Sequence, residues 1–436
     1  MPHRQFNQEF CNFLSRSTTP YHAVKNCERI LEAAGYTPLY ESHPWSNPAP
    51  GRYYVTRNGT SLIGFQIQDT CTSLRMAGAH TDSPTLRVKP NPLYRNNGYL
   101  QLGVEVYGGA LLTPWFDRDL SMAGRVTWHN GNARLCSSLI DFRRPIALIP
   151  SLAIHLDRDA NTNKTVNRQN DLVPIIMLGE TEQATDFIQV LKEQLCREHA
   201  GCEQAKPVDF DLFLYDTQAP AVIGLQEEFI SAARLDNLLS CYCIVQAAVQ
   251  NDNTENVLFV LNDHEEVGSV STSGAQGPFL RSILSRLYPK PAHRDRILHG
   301  SMLVSVDNAH AVHPNFATKH EPHHLPKLNG GPVIKKNANQ RYASDGTTAG
   351  LFKLLCRHNA VPVQEFVMRN DMACGSTIGP LTSAAIGIPT IDIGAPQLAM
   401  HSIRETIGSL DGLYLEKILT AFFNTQADRL TCAEVS

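Results

Sequence analysis

The stretch "VLFVLNDHEEVGS", residues 257–269, decides how this chain is expected to fold. Its first five residues, Val257–Leu261, are all apolar and include two valines, which is typical of a strand buried on both faces. Polar residues follow at once, among them His264, Glu265 and Glu266. Because adjacent side chains on extended backbone point to opposite sides, the two glutamates can serve two different partners.

The sequence beyond this strand alternates between strands and helices. Helix "PFLRSILSRLY", strand "MLVSV", helix "GTTAGLFKLLCRHN" and strand "TIDIG" follow in order. Upstream, "SLRMAGAHTDSP" predicts a strand that ends at His80, and "ISAARLDNLLSCYCIVQAAVQ" predicts a helix beginning near Ile230. Two further helices are expected in the first forty residues. The pattern predicts an α/β fold whose mostly parallel sheet is covered on both faces.

The length of the chain predicts two domains. Its 436 residues exceed the roughly 250–300 at which a single core stops growing. Between about Pro90 and Ala221 the sequence consists of short apolar or alternating runs, namely "YLQLGVEVYGG", "GRVTWHNGNARLCS" and "PIALIPSLAIHLDR". Asn130-Gly131 is a hairpin signal within them. We therefore expect a discontinuous α/β domain of residues 1–90 and 222–436, interrupted by a β-rich domain of residues 91–221.

Composition and charge exclude several classes of partner. The net charge is −4 and no basic run occurs, so nucleic acid is not expected as a partner. No stretch approaches the roughly 18 apolar residues of a membrane span, and the first residues lack the apolar core of an export signal. The eleven cysteines form no C-x-x-C pair. We expect a soluble, cytoplasmic protein with reduced thiols and no cysteine-rich zinc site.

Histidines and carboxylates follow the predicted strands, where ligands bind in open α/β sheets. Singly, an aspartate here is usually a turn former or helix cap, and a histidine is usually a hydrogen-bonded structural residue. Together they indicate a divalent-metal site, because gathered carboxylates repel one another unless cations neutralise them. The candidates are His80, Asp82, Asp236, Asp263, His264, Glu265, Glu266, Asp307 and His401.

The same residues are sufficient for a two-metal site. A shared aspartate and one histidine plus one acidic residue for each ion make five ligands, which His80, Asp236, Glu266, Asp307 and His401 can supply. Such ions lie about 3.5–4 Å apart and lower the pKa of a trapped water towards ~7. One glutamate then remains as the proton acceptor, and Asp82 can fix the tautomer of His80. Spacing leaves open which glutamate has which task.

Other catalytic motifs are excluded. "HEEVG" is not H-E-x-x-H, because its fifth residue is Gly268. No phosphate-binding loop, G-x-G-x-x-G or serine nucleophile elbow occurs. "GSTIG" has Thr377 at the nucleophile position, lacks a preceding strand and is interpreted as a tight backbone segment.

Seven stretches, in matching order from about Phe6 to past Tyr414, resemble the aspartyl aminopeptidase family of metallopeptidases. They are "GAHTDSP", "SAARLDN", "NDHEEVGS", "DNAHAVHPN", "GPVIKKNANQRYAS", "CGSTIGP" and "PQLAMHSIRE". The resemblance implies a two-zinc exopeptidase that removes N-terminal residues, typically Asp or Glu, from peptides. Glu265 matches the general base, which takes a proton from the water that becomes the metal-bridging hydroxide, and Asp82 matches the residue that orients His80. The metal ligands implied are His80, Asp236 as the bridge, Glu266, Asp307 and His401.

The resemblance also concerns substrate and assembly. Lys335 and Tyr342 match positions near the substrate, and His155 matches a residue that the inserted domain contributes to a neighbouring subunit's site. Family members assemble as tetrahedral dodecamers through this insert. A homo-oligomer is therefore expected, with residues 91–221 as the dimerisation domain of a metallopeptidase.

Several points stay open at this stage. Zinc is expected, but cobalt and manganese share these ligands. Either Lys335 or its neighbour Lys336 could face an acidic substrate, and the histidines at 310, 313, 320, 323 and 324 have no assigned role. A carboxypeptidase, an N-acyl deacylase and a non-catalytic peptide- or metal-binding scaffold are alternatives, the last disfavoured by the presence of Glu265 as a base.

Overall fold

The computed structural model of this chain describes residues 2–131, 134–179, 186–252, 255–426 and 429. It divides into two compact units. The first comprises Met1–Ser83, Pro220–Met400 and Glu405–Ser436, and the second comprises Pro84–Ala219 with His401–Arg404. These boundaries fall at 83/84 and 219/220, where the sequence analysis places them at 90/91 and 221/222.

Nine α-helices occur in the described part of the chain. They are α1 Pro2–Arg16, α2 Pro20–Ala33, α3 Phe187–Glu198, α4 Leu235–Val249, α5 Phe279–Leu287, α6 Pro291–His299, α7 Gly346–His358, α8 Ile378–Ile386 and α9 Asp411–Phe423. Local capping explains several of the boundaries. Thr19 caps α2 through the His22 amide, with Pro20 in its first turn, and Asp345 caps α7 in a reciprocal capping box with Thr348.

The first unit is built on a nine-stranded mixed sheet. In spatial order its strands are β1 Thr37–Pro38, β2 Gly51–Arg57, β3 Ser61–Ile67, β13 Val257–Asn262, β4 Arg75–His80, β14 Met302–Val306, β18 Thr390–Gly394, β16 Val333–Lys336 and β17 Gln364–Val367. The central strands β13, β4, β14 and β18 are parallel, and antiparallel pairs lie outside them. The predicted α/β fold with a mostly parallel central sheet is confirmed.

Both faces of this sheet are buried. Along β13, Phe259 and Leu261 belong to a core shared with helices α1, α2, α4, α7 and α9. Their neighbours Leu258 and Val260 belong to a second core, shared with α5 and α6. Because side chains alternate across a strand, an entirely apolar strand needs cover on both sides, as the sequence predicts.

A five-stranded sheet completes the first unit, and a six-stranded sheet forms the second. The five strands, in spatial order, are β11 Ala221–Ile223, β12 Phe229–Ala232, β20 Glu405–Gly408, β19 Pro396–Leu398 and β15 Ala309–His310. The second unit is antiparallel throughout, with order β8 Cys136–Asp141, β7 Leu120–His129, β10 Lys206–Asp216, β5 Thr85–Asn96, β6 Tyr99–Tyr107 and β9 Ile175–Leu178.

Two local expectations are wrong. The stretch from Ile230 begins not as a helix but as β12, which pairs with β20, and the helix starts only at Leu235. Short apolar runs fit either structure until a partner strand is known. "PIALIPSLAIHLDR" forms isolated bridges at Ala147 and Leu148 but no strand, since its prolines cannot donate to a ladder. Within the described residues, no helix has the length and apolar character needed to cross a membrane.

Candidate metal centre

The carboxyl ends of three adjacent parallel strands bring the first candidates together. His80 is the last residue of β4 and lies beside Asn262, the last residue of β13. Asp307 directly follows β14, the other neighbour of β4. Polar side chains placed at these ends meet at one edge of the sheet.

The imidazole of His80 lies at the centre of this group. Its Nδ1 donates a hydrogen bond to the carbonyl oxygen of Asp82 at 3.0 Å, so Nε2 is the nitrogen that could bind a metal ion. Nε2 lies 3.4 Å from Oδ1 of Asp236 and 3.6 Å from Oδ1 of Asp307. These three side chains offer ligand atoms within 4.8 Å of one another, and so do His80, Glu265 and Glu266. An imidazole among buried carboxylates suits zinc or a similar divalent ion.

Asp82 joins His80 to the two glutamates. Its Oδ1 accepts the Glu265 amide and its Oδ2 accepts the Glu266 amide, both at 3.1 Å. Oδ1 also lies 3.4 Å from Nδ1 of His80, and the carboxylate is fully buried. The sequence analysis expects only the contact with His80. The link to the glutamates joins residues far apart in the chain, and no local pattern signals it.

Asp236 is held by groups from three other segments. Its amide donates to Oε2 of Glu405 at 3.0 Å, and its carbonyl accepts the Ser83 hydroxyl at 2.6 Å. The next side chain, Asn237, donates to the carbonyl of Val306 at 2.9 Å, immediately before Asp307. Glu405 and Asn237 are site residues that the sequence analysis did not select. Their signal is their place inside the motifs "RLDN" and "MHSIRE".

The electrostatics of the group favour a bound cation. Burial alone would lower the pKa of His80, but Asp236, Asp307 and Asp82 outweigh it and raise this pKa well above its usual value. Burial raises the pKa of Glu265 to about 7, with His80 acting in the opposite direction and the nearby aspartates adding to the rise. A divalent cation would displace the proton of His80 and neutralise the carboxylates.

Lys335 and Lys336 have different surroundings. The ammonium of Lys335 is buried, 3.3 Å from Oδ2 of Asp307 and 5.2 Å from the centre of the Tyr342 ring. The ammonium of Lys336 lies 3.0 Å from Glu365, away from Asp307. Of the two, Lys335 is therefore the one next to the metal-binding group.

His401 and His155 belong to the second unit by position. His401 lies in the six-residue segment between β19 and β20, where its Nδ1 is 3.2 Å from the carbonyl oxygen of Gly109 and its own carbonyl accepts the Leu111 amide. His155 lies in an exposed turn.

The five histidines of residues 310–324 have other neighbours. The ring of His310 packs against Phe366, and Nδ1 of His324 lies 2.6 Å from Glu321. In the described part of the chain they contribute to no group of three ligand atoms that could hold a metal ion.

Nearly the whole chain matches one family model, over residues 13–423, with the description "Aminopeptidase I zinc metalloprotease (M18)". "Probable M18 family aminopeptidase 2" of Pseudomonas aeruginosa (strain UCBPP-PA14) is 54% identical over 422 residues, covering 96% of this chain and 98% of the relative. The protein of the same name from Azotobacter vinelandii is 53% identical, covering 97% and 98%.

Solved structures show the same similarity. A chain from "Cryo-EM structure of the Ape4 and Nbr1 complex" superposes with a TM-score of 0.94 at 37% identity, covering 99% of this chain and 88% of that one. A chain from "Structure of S. cerevesiae mApe1 dodecamer" superposes with a TM-score of 0.86 at 29% identity, covering 99% of both.

Proposed function

This chain belongs to the M18 family of aminopeptidase zinc metalloproteases, and we propose that it removes acidic N-terminal residues from peptides with two zinc ions and Glu265 as general base. The observation that supports this most directly is the double hydrogen bond from the Glu265 and Glu266 amides to Asp82, beside His80. It holds the backbones of the two glutamates at the carboxylate that also lies 3.4 Å from Nδ1 of His80.

The two ions have separate ligand sets in this proposal. His80 and Asp307 would hold one ion, Glu266 and His401 would hold the other, and Asp236 would be a ligand shared by both. The contacts of His80 with Asp236 and Asp307 support the first set. The match of "MHSIRE" to the family motif supports His401 in the second. Bound zinc supplies a Lewis acid and lowers the pKa of water at the site.

Glu265 moves the proton in the proposed reaction. Its carboxylate accepts a proton from the attacking water and delivers it to the nitrogen of the leaving amine. Such a role requires a carboxylate close to the metal ligands. Glu265 offers a ligand atom within 4.8 Å of His80 and Glu266, and Asp82 holds its backbone.

Lys335 provides the proposed preference for an acidic first residue. Its buried ammonium, beside Asp307 and the Tyr342 ring, can pair with the side-chain carboxylate of the substrate. We place Tyr342 against the same substrate residue.

The second unit is proposed to serve assembly. We propose a homo-oligomer, a tetrahedral dodecamer, in which His155 of this unit completes a neighbouring subunit's site. The dodecamer of the yeast relative and the exposure of His155 support this arrangement. A cytoplasmic location stays a prediction.

The proposal is tested by metal content and product release on one sample. Peptides beginning with Asp, Glu, Lys or Leu are assayed beside N-acylated peptides and peptides with a cleavable C-terminal residue. We expect two zinc ions per chain and release of N-terminal Asp and Glu. Preferential release of C-terminal residues or acyl groups would refute the proposed reaction, and preferential release of Lys or Leu would refute the acidic preference.

A further inference from the structure

The turn that carries the two glutamates has a backbone that L side chains rarely adopt. The φ angles are 62° at His264, 95° at Gly268 and 63° at Ser269, on either side of a short 3₁₀ turn, Glu265–Val267. Residues other than glycine keep such angles only where the surrounding structure fixes them. Asp82 fixes the turn from the side of the metal-binding group.

His264 fixes the opposite side of the turn. Its Nδ1 lies within hydrogen-bond distance of the Ser271 hydroxyl, at 2.9 Å, and that hydroxyl accepts the Gly274 amide at 2.9 Å. The carbonyl of His264 accepts the Ser269 amide at 2.7 Å. Among the described residues, His264 contributes to no group of three metal-ligand atoms, and its Nδ1 also lies 3.4 Å from the Ser273 hydroxyl and 3.5 Å from Oδ2 of Asp263.

This loop is itself anchored to the sheet. The Ser61 hydroxyl, at the start of β3, donates to the carbonyl of Ser273 at 2.8 Å and accepts the Asp263 amide at 2.9 Å. The backbone within the loop is closely packed, since a Cβ at Gly274 would lie 2.3 Å from the carbonyl oxygen of Ser269. Because the loop is anchored in this way, Ser271 is held in place and can fix the orientation of the His264 ring.

We propose that the hydrogen bond between His264 and Ser271 positions Glu265 and Glu266 for catalysis and metal binding. His264 and Ser271 are positioning residues, because they act through the turn and not on the substrate. The inference rests on the proposed function, in which Glu265 is the base and Glu266 a zinc ligand. It also gives a task to His264, the one member of "HEE" that the reaction does not use.

Two substitutions remove the contact from opposite ends. Ser271→Ala deletes the hydroxyl, while His264→Asn shortens the side chain but keeps a residue that tolerates positive φ. At saturating zinc we expect kcat to fall between about tenfold and hundredfold, with KM within about twofold of wild type. Zinc affinity, measured by competition with a chelator, falls about tenfold. The melting temperature stays unchanged.

Two further tests distinguish a positioning role from general damage to the fold: rescue by a conservative substitution, and the combination of the two substitutions in one chain. Ser271→Thr retains the hydroxyl and is expected to restore kcat and zinc affinity, and Thr272→Ala, at an exposed neighbour in the same loop, is the matched control. The losses in the double variant should be smaller than the sum of the two single losses, because the two substitutions share the contact between His264 and Ser271. Wild-type kcat and zinc affinity in the single variants, failed rescue by threonine, or additive losses would each overturn the inference. Glu265→Gln is assayed in parallel: if it stays active, the proposed function fails, and if it alone is inactive, only the positioning role fails.

Discussion

Glu265 and Glu266 are adjacent, yet the proposed chemistry gives them different tasks. Their amides donate to the two oxygens of one carboxylate, that of Asp82, so their backbones are fixed together while their side-chain carboxylates can take separate roles. A proton acceptor and a metal ligand must both lie near the same water, and adjacent residues meet that requirement with one anchor.

Glu265→Gln should abolish turnover while leaving zinc in place. The amide keeps the size of the side chain but cannot accept the proton, so we expect kcat to fall by about 10²–10⁴-fold. Steady-state kinetics and metal analysis of the same preparation measure both effects. Glu193→Gln, at an exposed position of α3, is the control. Substantial remaining activity would remove Glu265 from the role of base.

Lys335→Met should weaken the preference for acidic substrates, because it removes the buried ammonium beside Asp307. We expect the ratio of kcat/KM for Asp- over Leu-initiated peptides to fall by about tenfold or more, the value of a lost charged hydrogen bond. Lys336→Met is the matched control, since that ammonium pairs with Glu365. If the ratio of kcat/KM for Asp- over Leu-initiated peptides were equal in the two variants, Lys335 would not be the residue that selects acidic substrates. Zinc content is measured as well, because a change beside Asp307, a proposed zinc ligand, could lower activity through loss of metal.

Zinc affinity should fall as the pH is lowered. The pKa of His80 is raised well above its usual value in the metal-free protein, mainly by Asp236 and Asp307 against the effect of burial. Its imidazole therefore keeps a proton to a higher pH than an ordinary histidine does, and zinc must displace it. Below the raised pKa, we expect the affinity to drop by about tenfold for each pH unit by which the pH is lowered. Chelator competition across this range checks the slope, and a flat profile would contradict the prediction.

At the level of the elements, the central parallel strands decide where the site forms. β4 lies between β13 and β14, so residues that are about 180 and 230 positions apart in the chain follow neighbouring strand ends. Asp82 fixes the segments after β4 and β13 relative to each other, since it follows β4 and accepts hydrogen bonds from two amides of the turn after β13.

Asp82→Asn should weaken zinc binding although it changes one atom. An asparagine side chain has a single acceptor oxygen, so one of the two glutamate amides loses its partner. Changes of this kind beside metal ligands cost about 10–100-fold in metal affinity. Titration with zinc in the presence of a competing chelator measures the loss, with the exposed Asp69→Asn as control. Unchanged affinity would show that the double hydrogen bond does not support the site.

For the whole molecule, most of the proposed catalytic residues belong to the first unit, while the second unit contains the proposed zinc ligand His401 and is proposed to serve assembly. His80, Asp236, Glu265, Glu266 and Asp307 belong to the first unit, whereas His155 belongs to the second. A residue of the second unit that completes a neighbouring subunit's site would make activity depend on assembly.

Sedimentation should give a particle of twelve times the 48.3 kDa chain mass. The His155→Ala variant is expected to keep this mass and its zinc while losing activity, because the exposed side chain is proposed to serve the substrate. The exposed Arg158→Ala, in the same segment, is the control. A monomeric particle with full activity would contradict the proposed assembly, and an active His155→Ala dodecamer would contradict the role of His155.

Some elements could be predicted from local sequence and others could not. The strand at Val257–Leu261 was predictable because a wholly apolar run needs cover on both faces, and the capped helix at Pro20 because its signals are adjacent. β12 was predicted as a helix, since its conformation depends on pairing with β20, which lies more than 170 residues further along the chain. A local pattern carries no information about so distant a partner.

The sequence by itself determined the kinds of element, the apolar faces of the central sheet, and the histidines and carboxylates that follow its strands. These depend on residue type and spacing, which are local properties. Only the tertiary structure decided that Asp82 holds both glutamate amides, that Lys335 and not Lys336 lies beside Asp307, and that Glu405 holds the Asp236 amide. The reason is that each of these contacts joins segments brought together only when the sheet assembles.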